Sequence, residues 1–388
     1  MPVGSAGCDQ GALTAIAEFK VVICGAGIAG VEGLLRLRRL AGDRVAVTLL
    51  SPEDELVCRP LAVLEPFAPA RPSRYSLERI VVGAQASWVR DRLVRVDAEA
   101  RVAHTSHGEE LPFDAMLVAL GARESSPYEH AQLFSDRGAA ERFETIVHEI
   151  DTGETTSVAF VLPDWPVWPI PLYELALLTA AHARRSGRAV RITFITPEAR
   201  PLKVFGQAAG EATERLLIDA GIDLHTGVVA RVPAPQRVTF GERELEAQRI
   251  VTVPRVTGPA VPGLPAGTSW FVPVDDRCRV LDTQGRVFAA GDVTDFPVKH
   301  GGIGAQQADT AAAGIAHLAG AGERPPPFEP VIRGTLLTGE RPLYLVARVI
   351  EGIGWHTELY GQAPWPAEHK IAAEELGPYL NALDAASA

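Results

Sequence analysis

Residues 19–55 read FKVVICGAGIAGVEGLLRLRRLAGDRVAVTLLSPEDE. The unbroken apolar run Val21–Cys24 fits a strand buried on both faces, as the strands of parallel sheets are. It runs into Gly25, Gly27 and Gly30 at G-x-G-x-x-G spacing. A helix is expected over about 28–40, and a second strand over VAVTLL, 45–50. Each glycine has its own task. The first permits a sharp turn, the second lets a pyrophosphate approach bare backbone, and the third lets helix and strand pack closely. The phosphates then lie at a helix N-terminus, where free N–H groups and the helix dipole favour anions. Strand, turn, helix and second strand follow at the right distances, so the segment reads as a dinucleotide-binding βα unit. The ribose of such a ligand meets an acid at the end of the second strand. Ser51 occupies that place and Glu53 lies two residues on, and the choice between them stays open.

Working outward, FDAMLVALGARE at 113–124 is an apolar strand running into Gly121. GRVFAAGDVTDFPVKHGGIGAQQADTAAAGIAHLAG at 285–320 is a strand ending at Gly291-Asp292, a short loop, and an Ala-rich helix opened by Gly301-Gly302. With these three stretches the chain resembles the FAD-dependent pyridine nucleotide-disulfide oxidoreductase superfamily, and within it the branch of type II NADH dehydrogenases and sulfide:quinone oxidoreductases. The resemblance covers roughly 20–320 and fades in the tail. It implies an α/β fold of two Rossmann-like domains, each a three-layer ββα unit, plus a small C-terminal region. The expected division is an FAD-binding domain at 18–151, an inserted NAD(P)-binding-like domain at 152–265, a return to the first domain at 266–322, and an interface region at 331–388, reached through the proline-rich GERPPPFEP.

The resemblance also implies site residues. Asp292, after Gly291, accepts a hydrogen bond from the ribityl chain of FAD. Lys299, Gly301 and Gly302 face the isoalloxazine, where they can stabilise negative charge on the reduced ring. Ala119 and Gly121 stand where the family writes A-T-G, here without its threonine. CRPLAVLEPF at 58–67 resembles the loop beside the flavin, which makes Arg59 and Pro60 candidate contacts. Val94 matches the place where backbone meets adenine.

The second domain departs from the pattern. Residues 161–176 read VLPDWPVWPIPLYELA, between an apolar strand and a helix expected at 171–186. Four prolines and two tryptophans stand where a nucleotide turn carries glycines. Proline donates no N–H, and β-carbons block close pyrophosphate approach. NAD(P)H in the usual pose is therefore disfavoured, and it stays open as a donor only in a looser pose. The run Pro171–Leu175 resembles the matching turn of sulfide:quinone oxidoreductases, but the catalytic cysteine of that family falls on Trp168 here. With no thiolate at that place, sulfur uptake and disulfide reduction are not expected. Trp165 and Trp168 either wall a planar ligand or fill the space of the missing dinucleotide. By resemblance Glu174 lies near the isoalloxazine as a proton relay; the alternative is a charge complementing the helix dipole.

The bulk properties bound the rest. The chain has 388 residues, 47% hydrophobic and 22% charged, with a formal net charge of −11. That charge argues against nucleic acid and against an anionic membrane surface. Cys8, Cys24, Cys58 and Cys278 have no metal-ligand spacing, no metal site is expected, and a reduced cytoplasm is the simplest setting. The opening twenty residues lack a basic segment and a long apolar core, so no signal peptide is expected, and no run is long enough to span a bilayer. Arg36, Arg38 and Arg39 read as a solvated helix face or a dipole complement. The segment 341–361 reads as a β-pair, with dimerisation one use for its apolar residues. The functional expectation is an FAD-dependent oxidoreductase with small-molecule donor and acceptor, a quinone among the candidate acceptors. The rivals are an NAD(P)H-dependent reductase and a flavin-binding sensor or scaffold without turnover.

Overall fold

The computed structural model describes residues 18–67, 73–135, 138–164, 167–349, 355–366 and 370–387. The chain begins with β1 (Phe19–Cys24), α1 (Ile28–Ala41), β2 (Val45–Leu50), β3 (Ser87–Val89) and β4 (Ala115–Val118). It crosses to β5 (Gln132–Leu133), α2 (Ala139–Thr152), β6 (Ser157–Val161), α3 (Ile170–Arg185), β7 (Arg191–Ile195), α4 (Gln207–Asp219), β8 (Asp223–His225) and β9 (Arg249–Thr252). It returns through β10 (Val287–Ala289) and α5 (Gly301–Leu318), then adds β11 (Val331–Leu336), β12 (Leu343–Val349), β13 (Trp355–Tyr360) and α6 (Leu376–Ser387).

Two parallel sheets result. The first has the order β10-β4-β1-β2-β3, with Val21 opposite both Val47 and Ala115. The second has the order β5-β9-β6-β7-β8. Each is covered on one face by helices and on the other by a three-stranded antiparallel ribbon, which gives the three-layer ββα arrangement. In the first unit Val31, Leu34 and Leu37 of α1 are fully buried against the helical side, and Val96, Ala103 and Leu111 seal the opposite face. In the second unit Val238 and Phe240 do the same for Val161 and Ile195. Each such Val, Leu, Ile or Phe side chain contributes about 1.5–3 kcal/mol by leaving water. A parallel strand is buried on both sides, and this is why VVIC and SVAFV carry no alternation.

Several expectations need correction. Strand β5 and helix α2 belong to the second sheet, so the chain enters that unit before residue 152. The C-terminal region is no single interface body. Its sheet β11-β12-β13 is antiparallel and buries Ile332, Leu336, Leu345 and Ala347 in the core of the second unit, whereas α6 lays Leu376 and Leu380 into the core of the first. Strand β11 directly follows the proline-rich linker and is a third strand beyond the expected pair.

Arg36 and Arg38 of α1 are half-buried rather than a solvated face, and only Arg39 stays exposed among the three. Arg36 reaches Glu375 at 2.8 Å and Glu374 at 3.3 Å, Arg39 reaches Glu375 at 2.7 Å, and Arg38 donates to the carbonyls of Ala84, Gln85 and Gly42. Tail acids far away in sequence claim two of the three. Beneath them the fully buried Glu32 accepts backbone N–H bonds from Glu374, Glu375 and Leu376 at 2.8, 2.9 and 2.6 Å. A carboxylate at the first turn of α6 satisfies amides that the helix leaves unpaired and complements its dipole. Asp309 of α5 packs beside Glu32, and burial together with that neighbouring carboxylate pushes it up to about 8. The two neighbouring buried carboxyls thus both resist ionisation.

Candidate functional site

The glycine turn opens at the carboxyl end of β1. Gly25 has φ +102°, a region β-carbons rarely enter, and its N–H donates to Leu50 O at 2.9 Å. A Cβ there would stand 2.3 Å from the carbonyl oxygen of Ala119, and a Cβ at Gly30 would stand 1.9 Å from that of Gly25. Both positions are thus closed to side chains by the fold itself. Gly27 differs: a Cβ there meets nothing within 4 Å. The bare backbone at Gly27 faces open space, as a cradle for an approaching group requires.

Opposite lies the second turn. The strand β10 ends beside β4, with Ala290 N–H on Val118 O at 3.0 Å, and the chain turns at Gly291-Asp292. Here α1 and α5 start against one another. A Cβ on Gly304 would lie 3.0 Å from Gly291 Cα and 3.5 Å from Ala29 Cβ, and one on Gly301 would lie 3.7 Å from Ile28. Two helix N-termini with unpaired amides therefore converge on the space between the turns. Gln307 and Thr294, both buried, hold the second turn in place. The Gln307 amide oxygen accepts the Gly291 N–H at 2.8 Å, and the Thr294 hydroxyl donates to Gly291 O at 2.9 Å. Asp292 is half-buried; burial pushes its carboxyl up and the Lys299 ammonium pulls it back. Lys299 is itself buried, bonded to the Thr294 carbonyl and 3.6 Å above the Phe271 ring, and burial pushes it down to about 8.

The remaining candidates spread around this centre. Ala119 lies directly under Gly25, and Gly121 takes φ +68° just beyond. Ser51 is buried, its hydroxyl accepting the Glu53 N–H at 3.3 Å, while Glu53 is exposed. The hydroxyl thus shapes the loop that carries the acid. Arg59 is exposed and Pro60 half-buried, at the start of a 3-10 helix whose far end sets Phe67 against Phe143 and His182 of the second unit. Val94 is exposed on the antiparallel ribbon.

The second unit's turn is closed from within. Its helix starts at Ile170 with Pro169 and Pro171 around the first turn, which removes donors from that end. Glu198, after β7, stands where a ribose-binding acid would. Its carboxylate instead takes the Tyr173 hydroxyl at 2.6 Å and the Lys203 N–H at 2.9 Å. Tyr173 is fully buried and stacks on Phe194 at 4.2 Å. Trp168 bridges to the first unit, with its ring 4.3 Å from His300 and 5.8 Å from Phe205. Trp165 lies outside the described residues. His300 precedes α5; its Nδ1 is sealed from solvent without a partner, and burial and the nearby Lys370 push it down to about 4. Glu174 is fully buried. Its two oxygens bond Lys370 at 2.6 and 2.9 Å and the Leu337 N–H at 2.8 Å, and burial still pushes its carboxyl up.

Gln307, Thr294 and Lys370 escaped the sequence reading, and His300 entered it only as part of the Lys299–Gly302 segment. Gln307 carried a signal as one of two adjacent amides in an Ala-rich helix; Lys370 had none, since its partner lies in another unit. Cys24, Cys58 and Cys278 are free and buried, with thiols pushed up by burial, and Cys8 lies outside the described residues. No metal-holding cluster and no helix long and apolar enough to cross a membrane occur among the described residues.

No protein-family model matches the chain, and no curated protein matches it in sequence. Solved structures do share its fold. The sulfide:quinone oxidoreductase of the hyperthermophilic bacterium Aquifex aeolicus superposes with a TM-score of 0.77 at 19% identity, over 88% of this chain and 87% of that one. A ferredoxin reductase from Rhodopseudomonas palustris gives 0.65 at 20% identity, over 85% and 82%. The NAD-dependent persulfide reductase of A. fulgidus gives 0.64 at 15% identity, over 86% of this chain and 64% of that one.

Proposed function

We propose that the chain is an FAD-dependent oxidoreductase that passes an electron pair from a small-molecule donor to an acceptor of the quinone class. The observation that carries this reading is the open space at Gly27, set between two helix N-termini and facing the Asp292 turn. The residues fit a dinucleotide flavin. Gly25, Gly27 and Gly30 with the start of α1 would hold the pyrophosphate, Glu53 or Ser51 the adenosine ribose, and Asp292 the ribityl hydroxyls. Val94, Arg59, Pro60, Ala119 and Gly121 would line the remainder, with Gly301 and Gly302 at the ring. When bound, the flavin supplies reversible two-electron chemistry, while the protein orients it and sets the local charge.

In this reading the start of α5 and the Lys299 ammonium favour negative charge beside the ring. Glu174, paired with Lys370 near His300, would be the acid available to hold or pass a proton. The donor is not a thiol relay, since the described cysteines are buried. A second reading takes NAD(P)H as donor. The NAD-dependent neighbour favours it, and the Tyr173–Glu198 closure opposes it. The test is purification, reconstitution with FAD, and anaerobic titration of the bound chromophore with NADH, NADPH, sulfide and a quinol. Reconstituted protein without a flavin spectrum rejects the first reading. A bound flavin that no donor bleaches and no dye acceptor turns over leaves a non-catalytic flavin protein.

A further inference from the structure

The outward face of the C-terminal sheet holds polar groups that the fold leaves without partners. Arg333 stands opposite Val346 and Thr335 opposite Tyr344 in the β11–β12 pairing. Ile332, Leu336, Leu345 and Ala347 point into the second core, so alternation puts Arg333, Thr335, Tyr344, Val346 and Arg348 together on the other side. Thr335 is 5% exposed, and its hydroxyl has no hydrogen-bond partner. Trp365 sits edge-on to Tyr344 with centroids 5.7 Å apart, and its indole N–H is likewise buried and unpartnered. Arg333 is half-buried, two residues and so about 7 Å along the strand from Thr335. Its charged neighbour is Arg348, which together with burial disfavours the Arg333 cation. The acid on this face, Glu358, is engaged by the Tyr360 hydroxyl and by His356 at 3.5 Å.

A guanidinium withdrawn from water beside a like charge is costly, and each orphaned donor adds to the cost. The two unpartnered groups and the half-buried guanidinium can all donate. A cation would be repelled, and a neutral ligand would leave the guanidinium uncompensated. Donors on two chain segments suit an anion with oxygens on several sides, and the planar fork of arginine matches two of them at once. We propose that this face binds a tetrahedral oxyanion of the phosphate or sulfate type, held by Arg333 with the Thr335 hydroxyl and the Trp365 indole N–H. The site is separate from the flavin groove and stands or falls apart from it.

The test is calorimetric titration of the full chain with phosphate and with sulfate in an oxyanion-free buffer. Saturable binding at millimolar concentration or below is expected. Arg333→Met and Trp365→Phe each should weaken it by about tenfold or more, the value of one charge-assisted or buried hydrogen bond. Arg333→Met should be no less stable than the parent without anion, because it removes an uncompensated charge, and should keep the same flavin absorbance. Sedimentation with phosphatidylcholine vesicles containing phosphatidic acid separates the sources. Binding to vesicles in preference to free phosphate assigns a lipid headgroup, and the reverse assigns a soluble anion. No saturable response to either anion or to the vesicles overturns the proposal, as does Arg333→Met binding like the parent.

Discussion

Replacing Lys370 by methionine probes the junction between the two units most directly. Glu174 is fully buried, and three hydrogen bonds reach its carboxylate, two from Lys370 and one from the Leu337 amide. Methionine keeps most of the lysine stem and removes the ammonium, leaving a buried carboxylate with one amide. Breaking a buried ion pair from one side costs about 3–5 kcal/mol. The cost depends on pH, and the sign follows from linkage. Without the ammonium the folded-state pKa of Glu174 rises further above its ordinary value, so the variant folds by taking up a proton. Its stability is then fully present at low pH and is lost as pH rises. The gap to the parent should be smallest near about pH 4–5, widen by up to about 1.4 kcal/mol per pH unit, and level off near neutrality. Urea midpoints from tryptophan fluorescence, measured across that range, read the gap. The double variant Glu174→Gln, Lys370→Met removes both charges and should recover to within about 1–2 kcal/mol of the parent. A single variant as stable as the parent at neutral pH, or a double variant no better than the single, refutes the reasoning.

Three further outcomes are expected. Gly27→Val should fold within about 1 kcal/mol of the parent, because its side chain meets open space, yet lose flavin in absorbance measurements, whereas Gly30→Ala should fail to fold because its Cβ would stand 1.9 Å from Gly25 O. Asp292→Ala should weaken FAD binding about ten- to a hundredfold, the worth of one charge-assisted hydrogen bond, as read by equilibrium dialysis. Asp309, raised from 3.8 to about 8, makes the parent less stable as pH rises through that window, because only the unfolded chain releases the proton there. Asp309→Asn should flatten this slope, by up to about 1.4 kcal/mol per pH unit, in denaturation midpoints taken at successive pH values.

Most of the scaffold was legible because parallel βα units announce themselves locally. The helix expected over about 28–40 spans Ile28–Ala41, and that expected at 171–186 spans Ile170–Arg185. Both follow from the apolar run, the turn residues and the 3.6-residue period of one segment. The glycine turn was legible for the same reason. What escaped depends on partners far away in sequence. Arg36 reads as a surface charge until α6 brings Glu374 and Glu375 to it. Glu174 reads as a helix-end charge or a relay until Lys370 arrives from the tail. Strand β11 hides behind four prolines, and its pairing with β12 is set by burial against α3 and Phe205 rather than by a local pattern. The closure of the second turn was half legible: the prolines foretold lost donors, but the Tyr173–Glu198 bond required the fold.

The attachments made by residues 370–376 have a consequence for how the molecule is assembled. Lys370 plugs into the second unit and Leu376 docks on the first, six residues later. Every strand of both parallel sheets precedes them in the chain. During synthesis both layered units can therefore condense before this segment emerges. The segment therefore adds its two attachments last, to units already joined through Phe67 and Trp168, so a chain nicked ahead of residue 370 should keep both folded units with a looser junction.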